Sequence, residues 1–243
     1  NYSYISTNGL IVDDTKPIAE SIAPEISIRP ERPINGIYKD DVKVSISVDD
    51  PMVSGTYSGL KEVSYKVYNK AISSTNPTQS GILYSFNNSN PKQEDLLKTW
   101  SGSIVVDRNL NNSNDIEIVV SAVDNSLNST EDSVSIKIDT TAPTIDISYD
   151  NNNADNNKFF KENRTATIVV TERNFKPEDV KINITNSDGS IPTISGWRQS
   201  GGSGNLDNTR WTTTITYSRD GDYTFDIEYT DLAGNKCTDI NYS

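Results

Sequence analysis

The chain has 243 residues, with 22 Lys and Arg against 34 Asp and Glu, a net charge of −12, no His, one Cys and 33% hydrophobic residues. An acidic chain of this kind offers no electrostatic footprint for nucleic-acid phosphates or anionic membranes. Without His it has no imidazole triad or His-ligated metal, and one Cys permits neither an internal disulfide nor a thiolate zinc cluster. Its length suits one or two domains, with two expected.

Residues 1–13 open the chain with strand-like sequence and none of the charged start and apolar block of a signal peptide. They read as the last strand of a preceding domain or a linker. Period-2 alternation follows along the chain. Val42, Val44, Ile46 and Val48 alternate with Lys43, Ser45 and Ser47, placing one row in a core and the other in water. Val63-Tyr65-Val67, Ile116-Ile118-Val120-Ala122 and Val134-Ile136-Ile138 read the same way. So do Val180-Ile182-Ile184, Trp211-Thr213-Ile215-Tyr217 and Tyr223-Phe225-Ile227-Tyr229. Short helical turns are expected only at Pro91 to Leu97 and Lys176 to Asp179. No apolar run approaches the roughly 18 to 20 residues that span a bilayer. The chain is therefore expected to be all-β.

The two halves repeat each other. Val12-Asp13-Asp14-Thr15-Lys16-Pro17 aligns with Ile138-Asp139-Thr140-Thr141-Ala142-Pro143. Val120-Ser121-Ala122-Val123-Asp124 followed by Asn128 aligns with Ile227-Glu228-Tyr229-Thr230-Asp231 followed by Asn235. The repeat predicts one domain over 14–139 and another over 140–243, each of about seven strands. Each linker is stiffened by proline, which fixes its own φ and extends the residue before it.

Asp139-Thr140-Thr141-Ala142-Pro143 and Tyr229-Thr230-Asp231-Leu232-Ala233-Gly234-Asn235 resemble the tandem bacterial immunoglobulin-like (Big-type) domains of large surface and secreted proteins, chiefly from Gram-positive bacteria. The second half carries the resemblance nearly throughout, through Glu172-Arg173-Asn174-Phe175, Ser195-Gly196-Trp197, Thr209-Arg210-Trp211 and Asp220-Gly221-Asp222-Tyr223-Thr224-Phe225. The first half is looser, with Leu127 where the family usually has Gly. The resemblance implies tandem Greek-key immunoglobulin-like β-sandwiches in an extracellular protein of the bacterial cell surface or a secreted one. It implies a non-catalytic stalk or spacer with a role in adhesion, monomeric, whose partners are neighbouring domains of the same chain and a host or cell-wall glycan or protein. The alternative is a carbohydrate- or protein-binding accessory module of a larger secreted protein or glycoside hydrolase. Trp197, Trp211, Tyr223, Phe225 and Ile227 are expected in the second core.

No residue is assigned as catalytic, cofactor-binding or metal-ligating, and no cofactor is expected. The carboxylates Asp13-Asp14, Asp49-Asp50, Asp139, Asp150 with Asp155, and Asp220 with Asp222 supply the oxygen chemistry a structural Ca²⁺ uses, yet none shows the spacing of a loop that closes a site by itself. Tyr57, Tyr65, Tyr68, Tyr84 and Trp100, with the long insert from Asn69 to Leu97, are the candidates for a sugar-stacking surface, weighed against a place in the core. Cys237 reads as packing, and Ser200-Gly201-Gly202-Ser203-Gly204 as a hairpin tip rather than a phosphate loop.

Overall fold

The computed structural model describes residues 21–89, 91–156, 158–203 and 206–242. The expected strand over 1–13 and the first linker, with Asp13 and Asp14, lie outside the described residues, as do Gly204 and Asn205 in the glycine-rich tip. The chain is nearly all-β and divides into two compact units. One holds the described residues up to Arg32 together with Asp40–Ile138; the other holds Pro33–Lys39 together with the chain from Asp139 onward. Among the described residues no helix is long and apolar enough to cross a membrane.

Among the described residues the first unit has seven strands: β1 (Glu25–Pro30), β2 (Val42–Asp49), β3 (Leu60–Asn69), β4 (Gln79–Ser85), β5 (Thr99–Val106), β6 (Ser113–Asp124) and β7 (Ser129–Ile138). They form one antiparallel sheet in the order β1-β2-β5 and a second in the order β4-β3-β6-β7. Alternation explains the layering. Val42, Val44, Ile46 and Val48 are buried while Lys43, Ser45 and Ser47 are exposed; Ile116, Ile118, Val120 and Ala122 supply the opposing row from β6, so two half-solvated sheets close over one aliphatic core.

The second unit comprises β8 (Thr144–Tyr149), β9 (Arg164–Thr171), β10 (Lys181–Asn186), β11 (Arg198–Gly201), β12 (Arg210–Tyr217), β13 (Tyr223–Glu228) and β14 (Asp239–Tyr242). Its larger sheet runs β11-β12-β9-β8-β14, and β10 pairs with β13 in the smaller one. All these pairings are antiparallel except β14 on β8, which is parallel, with Asp239 opposite Thr144 and Tyr242 opposite Ile147. Ile145, Ile147, Ile168, Val170, Ile215 and Ile227 are buried in its core. Of the large residues expected there, Ile227 is buried, while Trp197, Tyr223 and Phe225 pack half-buried against the cluster. Tyr229 is the bulkiest fully buried side chain.

Short 3-10 turns occur at Gln93–Asp95 and Pro177–Asp179, inside the two segments read as helical turns. The insert from Asn69 to Leu97 is not one long loop, because β4 lies within it and extends the sheet beside β3.

Candidate functional site

Among the described residues, three carboxylates gather in the second unit where three segments meet. Asp139 precedes β8, Glu172 follows β9 directly, and Asp231 opens the turn after β13. All three are buried, and one carboxylate oxygen from each lies within 4.8 Å of the others. Like charges this close cannot all ionise without compensation. Arg173 supplies part of it: its Nη2 sits 2.9 Å from Asp139 Oδ1, and its Nε is 3.3 Å from Asp207 Oδ1. The Asn174 side-chain amide donates to Asp139 Oδ2, and its backbone N–H donates to Glu172 Oε1 at 2.6 Å. Asn235 donates from its backbone to Asp231 Oδ1 at 2.8 Å and from Nδ2 to Asp231 Oδ2 at 2.8 Å and to the Asp139 carbonyl at 2.9 Å.

An aromatic cluster borders this group. Phe175 meets Trp197, Trp211 and Tyr229 at centroid distances of 5.0, 5.2 and 5.4 Å. Trp211 Nε1 donates to the Glu172 carbonyl at 3.2 Å, and the Tyr229 hydroxyl accepts from the Lys176 N–H at 3.0 Å. Burial, reinforced by the neighbouring Asp139 and Asp231 charges, pushes the Glu172 carboxyl up to about 8 against the pull of the Asn174 N–H and Arg173. Burial likewise raises Asp231, opposed by its bonds from Asn235. Glu172 therefore holds its proton at pH 7, and that proton and the Arg173 guanidinium offset two of the three carboxylate charges.

The same arrangement tests the fit of a cation. Oxygens within 4.8 Å of one another could share one ion. Here, however, Arg173, Asn174 and Asn235 already direct N–H donors onto carboxylates of the group, and an ion would have to displace them. Of the described carboxylates in the acidic clusters singled out from sequence, Asp139 alone joins this group. Hydrogen bonds from Lys98 and Thr99 hold Asp49 below its usual range against the upward push of partial burial, with Lys98 Nζ at 2.6 Å. Asp155 pairs with Lys161 at 2.6 Å. Asp150 accepts from the Thr165 N–H at 2.7 Å.

The first unit repeats the framework. Asp50 directly follows β2, as Glu172 follows β9, and is buried; its Oδ2 accepts from the Gly59 N–H at 2.6 Å and the Ser58 hydroxyl at 3.4 Å. Asn128 bonds Asp124 as Asn235 bonds Asp231, at 2.9 Å from the backbone and 2.8 Å from the side chain. Sequence reasoning found Asp124, Asn128, Asp231 and Asn235 as a turn, but missed that Glu172, the acid after the second unit's second strand, lies against Asp231. Asp50 and Glu172 each directly follow the second strand of their unit.

The other candidates scatter. Tyr65 leans over Gly81, the residue opposite it on β4. Trp100 folds over Gly102 on its own strand in the other sheet, and Tyr68 pairs across from Glu117 on the opposite face from Val63 and Val67. The five aromatics thus form no single platform. Cys237 is buried and its thiol is raised by that burial. Among the described residues no lysine is buried. No protein-family model matches the chain, and no curated protein matches it.

Proposed function

We propose that the chain is a pair of bacterial immunoglobulin-like sandwiches acting as a non-catalytic spacer in an extracellular protein of the cell surface or a secreted one, a segment that carries tension between its two ends. The observation behind this reading is the parallel pairing of β8 with β14. These are the first and last strands of the second unit, so force applied at its two ends pulls them in opposite directions along their length. The hydrogen bonds between them then resist together, in shear, rather than opening one at a time. The repeated Asp-to-Asn turn and the buried acid after each second strand support two modules of one design. The hydrogen-bonded character of the acidic group, with no exposed nucleophile or base at its centre, favours a structural role over catalysis.

Single-molecule pulling on the intact chain tests the reading. Two unfolding events are expected, the one of the second unit at the higher force. Asn241→Pro removes a backbone donor from β14 and the Asn241 Nδ2 bond to Asp146 at 3.0 Å, and should lower that force alone. A second unit that unfolds at or below the force of the first would sink the proposal.

A further inference from the structure

The second unit carries its acidic group at one end and an aromatic groove at the other. There Tyr149 ends β8, Arg164 opens β9, Tyr217 ends β12 and Tyr223 opens β13, so alternate strands deliver rings and charges to one rim. The groove encloses about 610 Å³, within the range of small-ligand sites. Its floor is rigid. The Arg164 guanidinium lies between the Tyr149 and Phe160 rings, 3.7 and 4.2 Å from their centroids. Arg164 Nε donates to the Asn151 carbonyl at 2.7 Å and Nη2 to Asn152 Oδ1 at 2.9 Å; its remaining Nη donates to none of the described residues. Tyr217 and Tyr223 meet edge to face at 4.9 Å, and the Tyr223 hydroxyl is tied to the Arg219 carbonyl at 2.9 Å.

Phe159 does not share in this packing. It lines the groove yet is 58% exposed, and the tight turn that carries it is closed by reciprocal backbone bonds with Asp155 at 2.6 and 3.0 Å. The Lys158 ammonium stands over this ring at 5.3 Å from its centroid, and a ring this exposed still has contact surface to offer a ligand. The charged residues lining the groove are Lys158, Arg164 and Arg219 against Glu162, Asp220 and Asp222, which cancel. None of those three carboxylates accepts a bond from another described side chain. A charged ligand would gain no net attraction, whereas an uncharged one bearing many hydroxyls would find acceptors, donors and ring faces together.

We propose that this groove binds a neutral oligosaccharide. The Phe159 ring receives the C–H face of one sugar, and the Arg164 Nη that meets no described acceptor, with the Glu162, Asp220 and Asp222 carboxylates, takes its hydroxyls. The site stands independently of the spacer reading, since it concerns the opposite end of one unit and involves no tension.

The test is titration of the intact chain with cellohexaose, xylohexaose, mannohexaose, maltohexaose and chitohexaose, followed by calorimetry and by NMR shifts. Saturable binding of at least one sugar is expected, weakened at least about tenfold by Phe159→Ala. The control Tyr65→Ala, in the first unit, should leave it unchanged. Circular dichroism verifies that Phe159→Ala stays folded, and Arg164→Lys, which loses the flat guanidinium, should weaken binding as well. Failure of all five sugars to bind up to about 5 mM overturns the proposal. So does binding that neither Phe159→Ala nor Arg164→Lys weakens. Self-association that depends on Phe159 in place of sugar binding, read by sedimentation, overturns it in favour of a protein partner.

Discussion

In the first unit the turn from Asp124 to Asn128 closes with Leu127 at φ +70°, whereas in the second the turn from Asp231 to Asn235 closes with Gly234 at φ +88°. The bonds are otherwise alike: Leu127 N–H reaches the Asp124 carbonyl and Gly234 N–H the Asp231 carbonyl, each at 3.1 Å. What surrounds the two turns differs more. Asp50 is met by a backbone N–H and a hydroxyl, while Glu172 sits among two further carboxylates, an arginine and an aromatic wall. One framework thus supports two ways of keeping buried acids. The first unit relies on neutral donors beside an aliphatic core, the second on a guanidinium and a retained proton.

Removing the guanidinium should break the second unit far more than any change of similar size breaks the first. Arg173→Ala leaves the buried Asp139 without its ion-pair partner and strips a bond from Asp207, a loss of about 3–5 kcal/mol for a buried pair broken on one side. Denaturant unfolding of the intact chain should show the transition of the second unit displaced and that of the first unmoved. Displacement of both would mean that the two units do not unfold independently.

The retained proton makes the second unit sensitive to pH. In the unfolded chain Glu172 titrates near its ordinary value of 4.5, and in the folded one near 8. Between those values the folded state holds a proton that the unfolded state has released, so stability falls as pH rises through this window. The stabilisation is complete below about 4.5 and lost above about 8, a change of a few kcal/mol. Asp231, raised in the same direction, adds to the decline at the acid side. Glu172→Gln keeps a neutral side chain at every pH, so melting curves collected from pH 5 to 9 should flatten for this variant. Equal slopes in the variant and the parent would show that another group retains the proton.

The corresponding lever in the first unit is steric. Gly59 donates to Asp50 at φ +81°, and an added Cβ would stand 2.7 Å from the Leu96 Cβ. Gly59→Ala meets both a left-handed backbone and a buried neighbour, and should cost about 2 kcal/mol in the first transition alone. A loss under about 0.5 kcal/mol would show that the Leu96 segment yields freely.

Legibility in the sequence followed the same physics. The alternation of Val42 to Val48 announces a buried row because that strand has one wet face; Ile116 to Ala122 alternates too, although the other row of β6 is itself half-buried and includes the buried Val119. β11, with the residues Arg-Gln-Ser-Gly, has no apolar row at all and exists by pairing with β12 at the sheet edge; β4 bears Ile82, Leu83 and Tyr84 in succession, without the alternation that marks the other strands. The Asp-to-Asn turn was readable because its bonds are local. The acidic group was not, since Asp139, Glu172 and Asp231 are brought together only by the sheet pairings, and a charge pattern carries no register. The aromatic groove was missed for a similar reason, as its rings arrive singly from the ends of different strands.

The smallest expected effect tests the equivalence of the turns themselves. A non-glycine residue in the left-handed region costs roughly 1–2 kcal/mol, and Leu127 is 67% exposed, so packing returns little of that cost. Glycine relieves the strain but loses more freedom on folding, by roughly 0.5–1 kcal/mol. Leu127→Gly should therefore stabilise the first unit by about 0.5–1 kcal/mol, while Gly234→Leu should destabilise the second by a similar amount. Opposite shifts in the two transitions are the signature of one turn geometry used twice. If Leu127→Gly instead lowers the first transition, Leu127 is held by contacts that Gly234 does not need, and the two turns are alike in hydrogen bonding alone.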